Sequence, residues 1–326
     1  MPKFKVLLTD YAWPDLDIER RTLAEIDAEL IVASEKDAAS LARLAAGCDA
    51  IMTNWAKVPA EVIEAAPQCR IISRLGIGLD NIDVATASRR GIIVTNVPDY
   101  CLIEVAEHAL ALLLALARKV GFYHQQTKSL GYELQAGPTL RRIEGQTLGI
   151  VGLGNIGLRL AEKAQALGLQ IIGTTRTARP MPPGVRRCEL DELLTISDYV
   201  SLHVPLTADT RRMIGATQLA RMKQSAYLIN TARGGLVDQE ALAAALAAGK
   251  LAGAGLDVQE PEPPDLATPP WNDPRVIVTP HAAFVSQESL DNLRSRTARQ
   301  VAACLSGGTP ENVVNLAALT AAERGR

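Results

Sequence analysis

Gly149-Ile150-Val151-Gly152-Leu153-Gly154-Asn155-Ile156-Gly157 decides the fold, because it joins the end of an apolar strand to the start of a helix. It contains the pattern G-x-G-x-x-G, the helix-like stretch continues to Leu167, and a second strand begins at Gln170. The first glycine permits a tight turn, the second lets a pyrophosphate approach the backbone, and the third lets helix and strand pack closely. An ordinary glycine-rich turn could have the same sequence pattern. The order of strand, glycines, helix and strand instead predicts a dinucleotide site at the helix N-terminus, which favours negative charge.

The end of the second strand indicates which dinucleotide is bound. A site for NADH places Asp or Glu about 20 residues along, where the carboxylate accepts the ribose 2′-hydroxyl. This chain has Thr175, Arg176 and Thr177 there and no acidic residue before Glu189. Arg176 could hold a 2′-phosphate, and the two threonines could donate hydrogen bonds to it. We predict NADP as the preferred cofactor, with NAD as a second option. The alternative is an ordinary solvated loop with basic residues.

Short apolar strands alternate with helices before residue 98 and again from Thr147. Apolar strands without alternation are typical of parallel sheets covered on both faces. The helical segment from Ser286 must pack somewhere after the second sheet is complete. We therefore predict an α/β fold of two Rossmann-like, doubly wound parallel-sheet domains. A flavodoxin-like substrate domain (1–98 and 287–326) is interrupted by a nucleotide-binding domain (99–286). Residues 121–144 show no strand or helix rhythm, which predicts a functional loop or interface arm.

The 326 residues carry 34 Lys+Arg and 36 Asp+Glu without a charged block, which argues against nucleic acid or an anionic membrane as the partner. The longest uncharged stretch, Gly145 to Leu158, is too short to span a bilayer, and the N-terminus has no secretory apolar region. The five cysteines are odd in number and lack CxxC spacing, so we predict neither a disulfide framework nor a metal site. A cytoplasmic protein is expected.

Three further strand ends carry polar residues. They are followed by Arg233, by the acid-rich run from Asp257 to Glu262, and by His281. Ligands of open parallel sheets bind at the carboxyl ends of the strands, so an Arg, an acid and a His should converge there. A His with a carboxylate partner is a suitable proton donor to a ketone that receives a hydride, and an Arg can hold the carboxylate of the substrate. Taken singly, each residue has a non-catalytic explanation: an Arg on the surface, an acid in a loop or a His in the core.

Taken together, the motifs resemble the D-isomer-specific 2-hydroxyacid dehydrogenases over nearly the whole chain. The resemblance is carried by residues 73–83 (SRLGIGLDNID), 152–157, 202–207 (LHVPLT), 230–238, 255–263 and 279–281 (TPH). It implies a catalytic set of Arg233, Glu262 and His281 in a cleft between the domains. The family forms homodimers through its nucleotide-binding domains, which would give the apolar helix 101–119 and the arm 121–144 a role.

The resemblance also implies the remaining ligand contacts. The backbone N–H groups of Ile77 and Gly78, with Arg233 and His281, would bind the substrate. Asp257 would contact the nicotinamide carboxamide, and Val204-Pro205 would line the adenine side. The full set of predicted cofactor contacts is Gly152, Gly154, Asn155, Ile156, Gly157, Thr175, Arg176, Thr177, His203, Val204, Pro205, Thr231, Ala232, Asp257 and His281. Lys57, Tyr100 and Phe284 are expected as neighbours of the substrate pocket.

Two departures separate subgroups of the family. The acid-free cofactor loop is similar to that of glyoxylate/hydroxypyruvate reductases, so we predict reduction of a small 2-oxo acid to its D-2-hydroxy acid. A phosphoglycerate dehydrogenase would carry an Arg where Thr53 stands, and the chain is expected to lack a regulatory domain, although Arg74 could still contact a phosphate. A third reading is a dinucleotide-sensing scaffold, because residues 99–101 and 281–284 are similar to the C-terminal-binding-protein branch.

Overall fold

The computed structural model describes residues 2–176 and 180–324. Within this part, the chain divides into two compact units. The first contains the residues up to Tyr100 and those from Ser286 onward, and the second runs from Cys101 to Val285.

The strands are β1 (Phe4–Leu8), β2 (Ala28–Val32), β3 (Ala50–Thr53), β4 (Ile71–Arg74), β5 (Ile93–Thr95), β6 (Thr147–Val151), β7 (Gln170–Thr174), β8 (Val185–Arg187), β9 (Tyr199–Leu202), β10 (Tyr227–Asn230), β11 (Gly253–Leu256) and β12 (Val276–Val278). The helices are α1 (Asp17–Ala24), α2 (Ala38–Ala45), α3 (Ala60–Glu64), α4 (Val84–Arg89), α5 (Leu102–Arg118), α6 (Val120–Lys128), α7 (Asn155–Gln165), α8 (Leu190–Ile196), α9 (Ala216–Arg221), α10 (Gln239–Ala247), α11 (Gln287–Leu305) and α12 (Leu316–Arg324).

Each unit is built on one parallel sheet. The first sheet has the order β2-β1-β3-β4-β5, and the second has the order β12-β11-β10-β9-β6-β7-β8. The first is the flavodoxin-like order. The second, read from β8, is the 3-2-1-4-5-6 order of dinucleotide-binding sheets with one further strand. The predicted fold class is confirmed. In such sheets ligands bind where the strand order reverses, which in the second unit lies between β6 and β9.

Burial on both faces explains why the strands are apolar without alternation. Every residue of β9 and β11 is buried, because helices cover the second sheet from two sides. One side is packed with Leu193, Leu219 and Leu242 from α8, α9 and α10. The other side is packed with side chains from α5 and α7, among them Leu113 and Leu160. These two layers keep the sheet rigid and place its strand ends at one edge.

The structure differs from the prediction for residues 121–144. This segment contains most of α6 and a 3-10 turn at Leu134–Ala136. Helix α6 buries none of its residues, so it has no apolar stripe from which a helix could be predicted. Helix α1 ends at Ala24, and Ala28 and Glu29 already pair with β1. Within the described residues, no helix is both long and apolar enough to cross a membrane.

Candidate active site

The glycine loop after β6 has the backbone geometry that a pyrophosphate requires. Gly152 has a φ of +101°, and a Cβ there would lie 2.6 Å from the carbonyl oxygen of His203. A Cβ on Gly157 would overlap the carbonyl oxygen of Gly152. Gly154 is the N-cap of α7, and a Cβ there would meet no atom within 4 Å. The loop is therefore closed on its protein side and open at the helix N-terminus.

The predicted contacts of the glycine loop lie where β6 and β9 end. Asn155 and Ile156 form the first turn of α7, next to the open N-terminus. His203 follows β9, and its backbone N–H donates to the carbonyl of Val151 at 2.8 Å. Val204, whose Cγ1 faces Gly152, leads on to Pro205. These residues surround the point where the strand order reverses.

The His203 side chain is held neutral. Its Nε2 lies 2.8 Å from the Ser201 hydroxyl, and burial lowers the pKa of His203 from 6.5 to about 4. At neutral pH this imidazole therefore brings no positive charge to the end of β9.

The end of β7 carries more positive charge than the sequence predicted. Thr175 and Arg176 follow β7, with Arg176 exposed, whereas Thr177 lies outside the described residues. Arg187 of β8 is exposed, and its guanidinium donates to the Thr175 carbonyl at 3.1 Å. Sequence reasoning missed Arg187 because the pairing of β8 with β7 places it here. Two guanidinium groups therefore belong to this strand end.

His281 and Glu262 form a hydrogen-bonded pair. The Nδ1 atom of His281 lies 2.8 Å from Oε2 of Glu262, while Oε1 of Glu262 accepts the Gln259 N–H at 2.9 Å. Burial raises the pKa of Glu262, but the bond to His281, the backbone N–H and the charge of Arg233 outweigh it and leave that pKa lowered. Glu262 is thus an anion at neutral pH that fixes the Nδ1 atom of the His281 ring.

Arg233 is positioned by the turn that ends β10. Asn230 holds this turn, because its side chain accepts from the Ala232 N–H at 3.0 Å and donates to the Arg233 carbonyl at 2.8 Å. The Arg233 guanidinium donates to the Ala232 carbonyl at 2.7 Å, and its charge reaches Glu262. The structure therefore brings the three predicted catalytic residues to one strand edge of the second unit.

The Thr231 hydroxyl indicates that a ligand binds at this strand edge. It is buried and has no hydrogen-bond partner among the described residues. Buried polar groups are normally paired, so this hydroxyl fits a group that arrives with the ligand. Together with the open end of α7, it shows that the residues present fit a nicotinamide dinucleotide.

Asp257 is fully buried and holds the loop that carries His281. Its Oδ1 accepts the Ala282 N–H and its Oδ2 accepts the Ala283 N–H, both at 2.9 Å, and the Thr279 hydroxyl donates to Oδ1 at 2.6 Å. These three bonds leave about one of four acceptor positions for a ligand donor such as a carboxamide. Sequence reasoning missed Thr279 in this role, although its position two residues before His281 was a signal.

The predicted substrate residues outside the catalytic set lie in the first unit, apart from Phe284. Asn96 donates to the Ile77 carbonyl at 2.7 Å, and the Val97 N–H donates to the Gly76 carbonyl at 3.0 Å. The loop before Gly78 is therefore fixed through its carbonyl groups by the segment that follows β5. Lys57 and Tyr100 also belong to the first unit. Phe284 meets the His281 ring edge to face, with ring centroids 6.2 Å apart. Among the described residues, no three His, Cys, Asp or Glu side chains gather as metal ligands.

Comparisons with known proteins identify the family. Residues 110–283 match the family model "D-isomer specific 2-hydroxyacid dehydrogenase, NAD binding domain". The chain is 42% identical over 277 residues to a glyoxylate reductase of Korarchaeum cryptofilum, covering 82% of this chain and 83% of that one. It is 38% identical to a D-3-phosphoglycerate dehydrogenase of Archaeoglobus fulgidus, covering 82% of this chain but 51% of that one.

A solved structure has a similar fold over nearly the whole chain. An acyclic imino acid reductase in complex with NADPH and D-Arg superimposes with a TM-score of 0.85 at 27% identity, covering 95% of this chain and 99% of that one. The matched residues include the glycine loop, Arg233, Glu262 and His281, on a sheet of the dinucleotide-binding order. The chain is an oxidoreductase that uses a nicotinamide dinucleotide, and it belongs to the D-isomer-specific 2-hydroxyacid dehydrogenase family.

Proposed function

We propose that the protein reduces a small 2-oxo acid, such as glyoxylate or hydroxypyruvate, to the corresponding D-2-hydroxy acid. The observation that carries this proposal is the 2.8 Å pair of His281 and Glu262 within reach of the Arg233 charge. Among the curated relatives, the glyoxylate reductase supports it, because it is matched over most of its length. In this proposal the first unit is the substrate domain and the second is the cofactor domain.

Each catalytic residue has a distinct role. The reduced nicotinamide supplies a hydride when it is bound. Arg233 holds the substrate carboxylate and polarises the carbonyl, with the backbone N–H groups of Ile77 and Gly78 as further donors. His281 donates the proton from Nε2 to the carbonyl oxygen, and Glu262 stabilises the imidazolium and fixes its orientation. Asp257 and Thr231 accept the polar groups of the cofactor.

Steady-state turnover on a panel of 2-oxo acids tests this function. The wild type should oxidise NADPH or NADH with at least one small 2-oxo acid, and His281→Ala should lose about 10²–10⁴-fold in kcat while still binding cofactor. His124→Ala, an exposed histidine of α6, is the matched control. Near-normal turnover by His281→Ala would contradict the assignment. Cofactor binding without turnover of any 2-oxo acid would favour the scaffold reading.

The phosphoglycerate dehydrogenase reading is tested in the same panel. It is supported by the 38% identity to the A. fulgidus enzyme, although the chain spans about half of that relative. Phosphohydroxypyruvate should be a poorer substrate than hydroxypyruvate, because Thr53 offers a phosphate no charge where an Arg would. A higher kcat/KM for the phosphorylated acid would establish the alternative.

The preferred cofactor in this proposal is NADPH. It is supported by Thr175 and Arg176, with no acidic residue from 170 to 188, and by the position of Arg187 beside Thr175. Arg176→Ala and Arg187→Ala should each lower kcat/KM for NADPH by about ten- to a hundred-fold, while kcat/KM for NADH changes little. Arg186→Ala is the matched control, since Arg186 is paired with Glu192 at 2.6 Å. A wild type that prefers NADH would overturn the proposal.

A homodimer is the proposed assembly. Leu130, Tyr132 and Leu134, in the arm after α6, are 96%, 93% and 87% exposed, which is costly for large apolar side chains in a lone chain. A second copy that covers this arm would bury them. Sedimentation should give the mass of a dimer for the wild type and of a monomer for Leu130→Asp/Leu134→Asp, and a monomeric wild type would contradict the proposal.

The proposed location is the cytoplasm. It is supported by Cys48, Cys69, Cys188 and Cys304, which are buried thiols outside any disulfide. A reducing compartment keeps such thiols unpaired. Cell fractionation followed by detection of the protein in the soluble cytoplasmic fraction tests this location, and recovery from a secreted fraction would contradict it.

A further inference from the structure

A chain of hydrogen bonds leads from helix α5 to the loop of His281. The Nε2 atom of His108 lies 2.9 Å from the Thr279 hydroxyl oxygen, and that hydroxyl donates to Oδ1 of Asp257 at 2.6 Å. Asp257 in turn accepts the backbone N–H groups of Ala282 and Ala283. His108 has no part in the proposed chemistry, yet it is joined through two side chains to the backbone that directly follows a catalytic group.

The direction of these bonds follows from the number of protons. The single hydroxyl proton of Thr279 is given to the Asp257 carboxylate, so the Thr279 oxygen must accept from His108. The Nε2 atom of His108 therefore carries a proton. Bonds arranged head to tail in this way polarise and strengthen one another. The Nε2 atom also lies 3.5 Å from Oδ1 of the buried Asp257 carboxylate, where a proton-bearing nitrogen is favourable.

The packing of α5 explains why His108 reaches this place. Leu112 packs on Gly255 of β11, where even a Cβ would come within 3.0 Å of the Leu112 Cβ. His108 lies one helical turn before Leu112 on the same face, and Asp257 lies two residues after Gly255. The close approach of helix and strand thus sets the reach of the imidazole.

The backbone of His281 needs such support. His281 has a φ of +54°, a left-handed conformation that is unfavourable for a residue other than glycine. Its own N–H donates to the Asp257 carbonyl at 2.7 Å, and the next two N–H groups are held by the carboxylate. A displacement of the Asp257 carboxylate would therefore act on the backbone that carries the His281 ring.

We propose that His108 and Thr279 are positioning residues that hold the Asp257 carboxylate, and through it the His281 loop, in the geometry for proton transfer. This inference rests on the proposed function. It assigns His108 no contact with substrate or cofactor. A purely structural His108 would change stability and leave the rate per folded molecule unchanged.

Two pairs of variants at these positions test the proposal. His108→Leu and Thr279→Val should each lower kcat by about tenfold, with the KM for the 2-oxo acid changed less than about twofold, since His281 acts in the transition state. His108→Gln and Thr279→Ser should each restore most of kcat, because Gln can place an amide nitrogen near the position of Nε2 and Ser retains the hydroxyl. Thr195→Val, an exposed threonine of α8, is the control for hydroxyl loss.

The double variant shows whether His108 acts on Asp257 only through Thr279 or also independently of it. If His108 acts through Thr279, His108→Leu/Thr279→Val should be no slower than Thr279→Val alone. Additive losses, or a kcat of His108→Leu within twofold of the wild type, would overturn the proposal. If His108→Leu is poorly folded, His108→Asn and His108→Gln decide, because Asn is too short to reach Thr279 and should be as slow as Leu. A wild type without turnover refutes the proposed function instead, so the two failures differ.

Discussion

Asp10 in the first unit and Asp257 in the second are the same structural device put to different uses. Each is a buried carboxylate just past the end of a strand, β1 or β11, and each holds the backbone of a loop that follows the neighbouring strand, β3 or β12. Asp10 accepts the N–H groups of Asn54, Trp55 and Ala56 at 2.9–3.1 Å. Asp257 accepts those of Ala282 and Ala283.

The two carboxylates differ in how many of their acceptor positions are filled. Asp10 also lies 2.8 Å from the Thr9 hydroxyl, so it has four partners, three of them at Oδ1 and one, the Trp55 N–H, at Oδ2. Asp257 accepts three bonds from described groups and retains one position at the strand edge where the cofactor is proposed to bind. Asp10 thus has four partners and shapes a loop of the first unit, whereas Asp257 has three and lies where a ligand is also proposed to bind.

Replacement of each carboxylate by an amide should distinguish the role of Asp10 from that of Asp257. Asp257→Asn should lower kcat by about 100-fold and the free energy of unfolding by about 3 kcal/mol, because charge-assisted bonds to the His281 loop are lost. Asp10→Asn should cost a similar free energy of unfolding but raise mainly the KM for the 2-oxo acid. Urea unfolding and steady-state kinetics on both variants provide the comparison. Equal losses of kcat would refute it.

The glycine loops of the two units provide a second contrast. A Cβ on Gly152 would meet a backbone carbonyl, whereas a Cβ on Gly76, with a φ of +154°, would lie 2.7 Å from the guanidinium of Arg74, a side-chain group of the first unit. Gly152→Ala should therefore weaken cofactor binding by about 30- to 100-fold. Gly76→Ala should leave the Kd of NADPH within about twofold and raise the KM for the 2-oxo acid. Fluorescence titration with NADPH measures the first effect, and loss of cofactor affinity in Gly76→Ala would contradict the contrast.

Acid should act on the second unit first, because His203, whose pKa is lowered by burial, lies within residues 101–285. The unfolded chain binds a proton at His203 below pH 6.5, but the folded chain does so only near pH 4. The free energy of unfolding should therefore fall by about 2 kcal/mol as the pH is lowered through this window. His203→Gln should remove most of that fall.

Hydrogen exchange locates this effect in the chain. Between pH 6.5 and 4.5, amides of β9 in the wild type should lose protection before those of β1, after correction for the intrinsic pH dependence of exchange. In His203→Gln the two strands should lose protection together. Earlier loss in β1 of the wild type would contradict the assignment to His203.

The confirmed predictions share a local cause. Buried parallel strands are short apolar runs whatever their neighbours, so the two series of strands, before residue 98 and from Thr147, could be recognised from the sequence. The glycine loop was predictable because a tight turn and a close approach of helix and strand both exclude a side chain. Helix α6 was missed for the opposite reason, since a helix that buries nothing carries no apolar stripe.

The sequence by itself determined the class of fold, the family and the residue types suited to hydride reduction, because these depend on periodicity and on motifs of a few adjacent residues. Only the tertiary structure decided that Arg187 lies beside Thr175, that His281 is held at 2.8 Å from Glu262, and that His108 reaches Asp257 through Thr279. His108 and Thr279 are 171 residues apart in the chain. Contacts over such separations follow from the packing of helices on sheets, which no local pattern encodes.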